Sequence, residues 1–587
     1  MVFHRTAIKL IQGILLMVIY ANQLSAQIAI GEWRTHLPYQ FTNIVMLTDD
    51  KAFCSSTGGL FYYDLTDNSL ETLSKTDGLS DNGVVAMNWS EEDQLAILAY
   101  NSANLDIIRG NQIINMPDIM KKQITGDKTV YNIYFHNSRA YLSCGFGIVV
   151  IDLNKLEITD TYYIGDNGDP LKVNQVTSDA LYFYAATDEG VRKAEISNAF
   201  LIDFNSWELI DDLPDPVGKY KGTVFYSGNV FVVYEEPAGT GDQVFFNNGS
   251  WEEITGITGD DCSEIRISGN NLLFTGEAGG VRIMNDEFEI VGSYTEGKPS
   301  SAIMDDTGIL WIADNGQGLV KVGPGVEVKT IRPNGPFTSI AFDMESGGGL
   351  LYSVVGGITA TYNNIFRAGI LQTFRDQLWK YNFKTEYKDL ISLAVDPKDP
   401  EHVYAASWGY GLVEYREGVP EMVYDETNST LQNAVPGSKV IRLGGLAYDE
   451  DDNLWMTNTG VPEPVSVLKS DGTWKSFRLN GILSDYPALG KVLMTKDNHL
   501  WGIIPKGGGL FAMNHNGTLE NVEDDEYRLV SVADENGRTI TNEVFSFAED
   551  HNGNIWLGTN QGILVFYNPG SLFTNGSIYA REILVPR

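Results

Sequence analysis

The chain has 587 residues, and 41 Lys+Arg against 77 Asp+Glu give a formal net charge of −36. That sign excludes sequence-independent nucleic-acid binding, which releases phosphate counterions with a basic surface. Hydrophobic residues at 43% and aromatics at 11% supply enough apolar surface for folded cores, which excludes global disorder. Glycine, with 60 residues, exceeds the usual share of about 7%, and the composition favours a turn-dense, all-β protein.

The N-terminus places His4, Arg5 and Lys9 before an apolar run from Leu10 to Tyr20 and ends the segment on Ser25-Ala26. This order of basic, apolar and small residues predicts a secretory signal over 1–26, cleaved after Ala26. The apolar run is shorter than the ~20 residues of a spanning helix, and no later stretch is longer. The mature chain is therefore expected to be exported without a transmembrane segment. Cys54, Cys144 and Cys262 are an odd set for an exported protein, and all lie in or beside strand-like runs, so buried free thiols are expected.

From residue 52 onward one grammar repeats: turn, short strand, Gly turn, strand. It starts weakly at Ala52-Phe53-Cys54 with Gly58-Gly59-Leu60, at Ala140-Tyr141-Leu142-Ser143 with Gly147-Ile148, and at Leu181 to Ala186 with Gly190-Val191. It is plain at Leu310-Trp311-Ile312-Ala313 with Gly316-Gln317-Gly318, and at His402-Val403-Tyr404-Ala405 with Gly409-Tyr410-Gly411. It returns at Leu500-Trp501-Gly502-Ile503 with Gly507-Gly508-Gly509, and at Ile555-Trp556-Leu557-Gly558 with Gln561-Gly562. Gly59 to Gly147 is 88 residues, Gly190 to Gly280 is 90, Gly318 to Gly411 is 93 and Gly411 to Gly509 is 98. Each interval brackets one degenerate copy, so the unit is about 44–49 residues, the length of a four-stranded propeller blade. No segment beyond the signal sustains a 3.6-residue period, which removes helical repeats.

Gly59 to Gly562 then spans twelve units, more than one ring of the usual four to eight blades holds. The expected fold is all-β, with two tandem β-propellers of four-stranded blades. The first, over 27–340, is expected to have seven blades. The second, over 341–587, is expected to have about five and to be C-terminally truncated, the chain continuing past Arg587. Trp311, Trp455, Trp501 and Trp556 are expected to fill gaps between blades.

The acids Glu91-Glu92-Asp93, Asp305-Asp306, Asp449 to Asp452, Asp497 and Glu549-Asp550 fall in the turn before the Trp-type strand, where Asp bonds local backbone. The expectation is an acidic face opposite the Gly turns, read either as turn chemistry and solubility or as calcium binding or repulsion of anionic surfaces. Asp534-Glu535-Asn536-Gly537 is not accepted as a calcium loop, because Val532 stands at the first ligand position. No nucleophile elbow, His-Glu-x-x-His, Cys-x-x-Cys or phosphate loop occurs, and the seven histidines have no metal spacing. The chain is expected not to be an enzyme and to need no cofactor. In Ser407-Trp408-Gly409-Tyr410-Gly411 the candidate ligand-binding residues are Trp408 and Tyr410, which would either stack on sugar rings or pack against a neighbouring loop.

Thr541-Asn542-Glu543-Val544, Glu549-Asp550 and Ile555-Trp556-Leu557-Gly558-Thr559 resemble the propeller repeat of Bacteroidetes two-component regulators. Ile30-Gly31-Glu32-Trp33-Arg34-Thr35-His36-Leu37-Pro38-Tyr39, Thr57-Gly58-Gly59-Leu60-Phe61-Tyr62-Tyr63-Asp64 and Leu73-Ser74-Lys75-Thr76-Asp77-Gly78-Leu79 resemble the start of the PorZ family of the type IX secretion system. The resemblance implies a non-catalytic protein, exported through the periplasm to the cell surface and associated with the outer membrane. It implies partners similar to PorU, PorV and PorQ, the sortase complex, and anionic lipopolysaccharide coupled to secreted cargo. It also implies two seven-bladed rings followed by a sorting domain, from which this chain departs. The alternative is the periplasmic oligosaccharide-sensing propeller region of a hybrid two-component regulator.

Overall fold

The computed structural model describes residues 31, 33–237, 239, 241–257, 261–323, 326–479, 481–483, 487–574, 576 and 578–583. The segment read as a signal lies outside them. The chain is all-β and divides into two compact units, Ala26–Ser339 and Ile340–Arg587.

The first unit holds seven four-stranded antiparallel meanders, at 42–73, 84–116, 130–162, 173–209, 220–253, 264–294 and 299–331. They form a ring of seven blades, numbered here in chain order, with the first strand of each meander innermost. Blade 7 shows why the residues fall as they do. Its second strand, Leu310–Asp314, is buried throughout, because a strand inside a propeller has a sheet against each face and can be apolar at every position. Outer strands such as Glu157–Tyr162 alternate towards solvent. The ring closes where the Thr42 hydroxyl of blade 1 donates to the carbonyls of Asp314 (2.8 Å) and Gly318 (3.0 Å) of blade 7. The core is divided among the blade interfaces: Val45, Cys54 and Phe61 pack on Trp311, Ala313 and Leu319, each side chain contributing about 1.5–3 kcal/mol by leaving water.

Most inner strands of this ring carry a β-bulge near their start, where seven strands crowd together. The extra residues are Asn43, Val85, Tyr131, Asn174, Lys221 and Ser300. A bulge re-aims its side chain, and all six line the axial channel, a space of ≈ 400 Å³.

The second unit holds five such meanders among the described residues, at 343–388, 390–424, 441–477, 492–530 and 544–582, with a two-stranded ribbon at 532–541. The strand His402–Gly409 overruns its own sheet, and Trp408 and Gly409 pair with Arg442 and Ile441 of the next, fusing two sheets. Trp311, Trp455 and Trp501 are fully buried, as the repeat predicts. Trp556 is the exception at 37% exposed, beside Phe545 at 65% and Ile563 at 44%. No further sheet covers that face among the described residues.

The repeat glycines have two reasons to be glycine. Gly190 and Gly411 sit at φ +94° and +83°, and a Cβ there would lie 2.2 Å from the Pro216 carbonyl oxygen and 2.1 Å from that of Tyr424. The turn needs the left-handed backbone, and the outer strand or its loop then passes too close for any side chain. All three cysteines are free and buried, and burial pushes the Cys262 thiol up to about 12.

Candidate functional site

Trp408 lies on the seam between the two fused sheets and is 1% exposed. Its backbone N–H donates to the Asp389 carbonyl (2.9 Å) and its indole N–H to the Tyr362 carbonyl (3.1 Å). Tyr362 meets the ring edge-on, and the Arg442 guanidinium covers it at 5.8 Å. The 355–367 loop that brings Tyr362 is held by the buried Asp389 carboxylate, which accepts the backbone N–H groups of Ile365 (3.1 Å), Phe366 (2.9 Å) and Arg367 (2.9 Å). Trp408 therefore presents no ring face to a sugar; of the two readings of this loop, packing against a neighbour describes it. Tyr410 is half-buried, its backbone N–H bonded to Ser407 Oγ (3.0 Å), and it packs against the same core rather than standing out from the surface.

The acidic turns have a structural employment that the spacing contains. Asp305, Asp449 and Asp550 each stand six residues before a tryptophan. One carboxylate oxygen caps the turn, as Asp449 Oδ1 accepts from Asp451 N (2.9 Å) and Asn453 N (2.8 Å). The other accepts the indole N–H of Trp311 (3.0 Å), Trp455 (2.7 Å) or Trp556 (2.9 Å). The hydrogen bond from Trp556, with others from Asn554, holds Asp550 well below the usual carboxylate range.

Nor are the acids confined to that end of the first ring. In an up-down meander the first and third turns share one end, and the second turn and the loop between blades share the other. Asp188, Asp242 and Glu277 lie in second turns, and Asp127, Asp166 and Asp261 in loops between blades, so the Gly-turn end is acidic too. The expectation that it would be the less acidic end is corrected. Several cations there are already engaged. Lys221 at the channel mouth pairs with Asp242 (2.9 Å) and Asp261 (2.8 Å), Arg192 with Asp166 (2.8 Å) and Lys219 with Glu235 (2.7 Å). Burial works against the Lys221 ammonium, yet its hydrogen bonds to Asp261 and Asp242 keep its pKa above the ordinary lysine value. The channel itself is braced across its width, with Arg266 Nη1 donating to the Val45 carbonyl (2.9 Å) and Gln175 Nε2 to that of Ile265 (3.3 Å).

A polar cluster missed at the level of sequence surrounds His402. Its Nδ1 is 3.0 Å from Asp396 Oδ2 and its Nε2 2.7 Å from Glu414 Oε1. Tyr404 (3.2 Å) and Tyr424 (2.7 Å) also donate to Glu414. The Glu414 and Asp396 carboxylates raise the histidine pKa against its burial, and the histidine holds Glu414 low. Two carboxylates flanking a nearly buried imidazole stabilise its cationic form, which makes this a structural ion cluster rather than a base awaiting a proton. Among the described residues, no three His, Cys, Asp or Glu side chains are grouped to hold a metal, and no helix is long and apolar enough to cross a membrane.

Comparison with known proteins adds a match over part of the chain and a shared fold. The N-terminal β-propeller domain of PorZ of the type IX secretion system matches residues 52–208, and the two-component regulator propeller repeat matches residues 540–561. No curated protein sequence matches the chain. Among solved structures, PorZ, an essential bacterial surface component of the type IX secretion system of Porphyromonas gingivalis, aligns with TM-score 0.84 at 22% identity, over 94% of this chain and 75% of that one. The extracellular domain of a hybrid two-component system from B. thetaiotaomicron aligns with TM-score 0.38 at 14% identity, over 93% of this chain and 77% of that one. The chain thus shares the twin-propeller fold of PorZ, and its residues 52–208 are similar to the N-terminal β-propeller domain of that family.

Proposed function

We propose that the protein is a non-catalytic, exported scaffold of a type IX secretion system that works at the cell surface. In this reading its propellers hold sortase-complex partners similar to PorU, PorV and PorQ and an anionic lipopolysaccharide for attachment to cargo. The observation that carries it is the PorZ domain match over residues 52–208 in a chain whose fold aligns with PorZ at TM-score 0.84. Rigid blades with their polar clusters internally paired suit a surface that binds and positions. The engaged state of Lys221, Arg192 and Lys219 adds a condition. A glycolipid anion at the Gly-turn end of the first ring would have to displace carboxylates from these cations.

Affinity capture of the tagged, functional protein from its native cell surface tests the reading. Recovery of a sortase with outer-membrane partners is expected, and recovery of neither overturns it. A second reading, oligosaccharide sensing in the periplasm, draws on the regulator repeat at 540–561. It requires co-purification with a histidine kinase or a response-regulator domain instead.

A further inference from the structure

Blades 4 (173–209) and 5 (220–253) of the first unit meet over a core that includes Ile210, Val230 and Tyr234. The register places Tyr184 in blade 4 where blade 7 has Trp311: both lie three residues before the strand end that pairs with the first residue of the inner strand. The tie to an acidic turn is kept, the Tyr184 hydroxyl donating to Asp179 Oδ2 at 2.9 Å. The ring, however, is smaller and remains half-buried, whereas Trp311 is fully enclosed. Beside it a cleft of ≈ 470 Å³ opens to solvent.

The cleft has an apolar floor, including Ile210 and Val230, each 7% exposed. Tyr184 and the half-buried Trp251 stand in its wall, and the Trp251 indole N–H is fixed by Asp212 Oδ1 at 3.1 Å. Asn229 and Lys193 lie at the rim, with the Lys193 ammonium over the Tyr182 ring at 5.4 Å. We propose that this cleft binds an uncharged sugar residue of an oligosaccharide.

Three features combine to give that ligand class. Two aromatic rings whose polar ends are already tied down offer preset apolar faces to the C–H face of a pyranose. Carboxylate and amide groups with spare lone pairs and N–H groups suit vicinal hydroxyls, which both donate and accept. Two carboxylates against one ammonium leave the cleft net negative, which disfavours a uronate or phosphosugar. The volume lies within the ~300–1,000 Å³ of small-molecule sites. The inference rests on blades 4 and 5 alone and is independent of the secretion-system reading, which its failure would leave standing.

Titration of the full chain with maltose, cellobiose and chitobiose, and with digalacturonate as the charged control, decides it by calorimetry or saturation-transfer NMR. At about 10 mM sugar a millimolar site is largely filled. At least one neutral disaccharide is expected to bind, digalacturonate more weakly or not at all. Trp251→Ala is expected to lower affinity about tenfold or more, equivalent to about 1.4 kcal/mol, and Trp251→Phe to retain most of it. Asn229→Arg obstructs the rim without touching either aromatic ring, and covers the case in which Trp251→Ala does not fold. The proposal is overturned if no neutral disaccharide binds, if binding survives both Trp251→Ala and Asn229→Arg, or if digalacturonate binds best.

Discussion

Asp449 Oδ2 accepts the indole N–H of Trp455 at 2.7 Å, while the same carboxylate caps the turn that delivers the tryptophan into the gap between two sheets. One acidic side chain thus links the turn at the end of a blade to the largest residue of its core. The pair recurs at Asp305 with Trp311 and at Asp550 with Trp556, and Asp179 with Tyr184 is its tyrosine form. Four of the chain's acidic side chains are therefore tied to packing.

Asp449→Ala should destabilise the second unit by about 3 kcal/mol, because it strands the buried indole N–H and two backbone donors together. Trp455→Phe should cost less than the loss of a partner would suggest in its hydrogen-bond part, since it removes the donor rather than orphaning it. Denaturant unfolding followed by tryptophan fluorescence measures both. Equal costs for Asp449→Ala and for an exposed acid such as Asp451→Ala would refute the tie.

The same turn at 495–501 lacks the acid. Thr495 stands six residues before Trp501, and its hydroxyl is occupied with the His499 backbone (3.2 Å to both the N–H and the carbonyl). The Trp501 indole N–H is buried without a hydrogen-bond partner. Thr495→Asp should supply the missing acceptor and stabilise the protein by about 1 kcal/mol, seen as a higher denaturant midpoint at unchanged slope. A lower midpoint would show that the orphaned N–H is not what limits this blade.

How much of this can be read from residues alone depends on how local the cause is. The blade period is legible because each Gly turn is a local backbone requirement repeated at fixed spacing. Asp-to-Trp spacing is equally local, six residues three times over, but turn chemistry and charge already account for acids at those positions, and only the folded chain gives the second oxygen of each carboxylate its role. Trp408 cannot be placed from sequence, because its burial depends on Tyr362 and on a strand overrun to Arg442, both remote in the chain. Asp242 and Asp261, which hold Lys221 at the channel mouth, likewise meet it only once blade 5 and the loop after it have folded.

Gly411→Ala and Gly562→Ala separate the two reasons for a repeat glycine. Both residues have positive φ, +83° and +99°, but only at Gly411 would an added methyl carbon meet a backbone oxygen, that of Tyr424, at 2.1 Å; at Gly562 it would enter open space. Gly562→Ala should cost about 1–2 kcal/mol from the left-handed backbone alone. Gly411→Ala should cost clearly more, since the outer strand must also move. Equal shifts in thermal midpoint would mean that the close approach relaxes freely.

His402 should make the second unit lose stability as pH rises above neutrality. In the folded chain Glu414 and Asp396 raise its pKa above the ordinary value of 6.5, against the opposing effects of burial and of Arg416. A group whose folded pKa is raised binds its proton more tightly when folded, so its contribution is complete below about pH 6.5 and disappears as pH climbs through the folded value. His499 works the other way: burial lowers its pKa, so its contribution is present above 6.5 and lost on acidification. The whole-protein pH profile therefore mixes opposite slopes, and the informative quantity is the difference between the parent chain and His402→Gln. That variant keeps a hydrogen-bonding side chain but cannot carry charge. The stability gap between the two should be widest below about pH 6.5 and narrow as pH rises through the raised folded value, where the imidazole gives up its proton between two carboxylates. A gap independent of pH would show that folding leaves the His402 pKa at its unfolded value, so that Glu414 and Asp396 do not favour the cation.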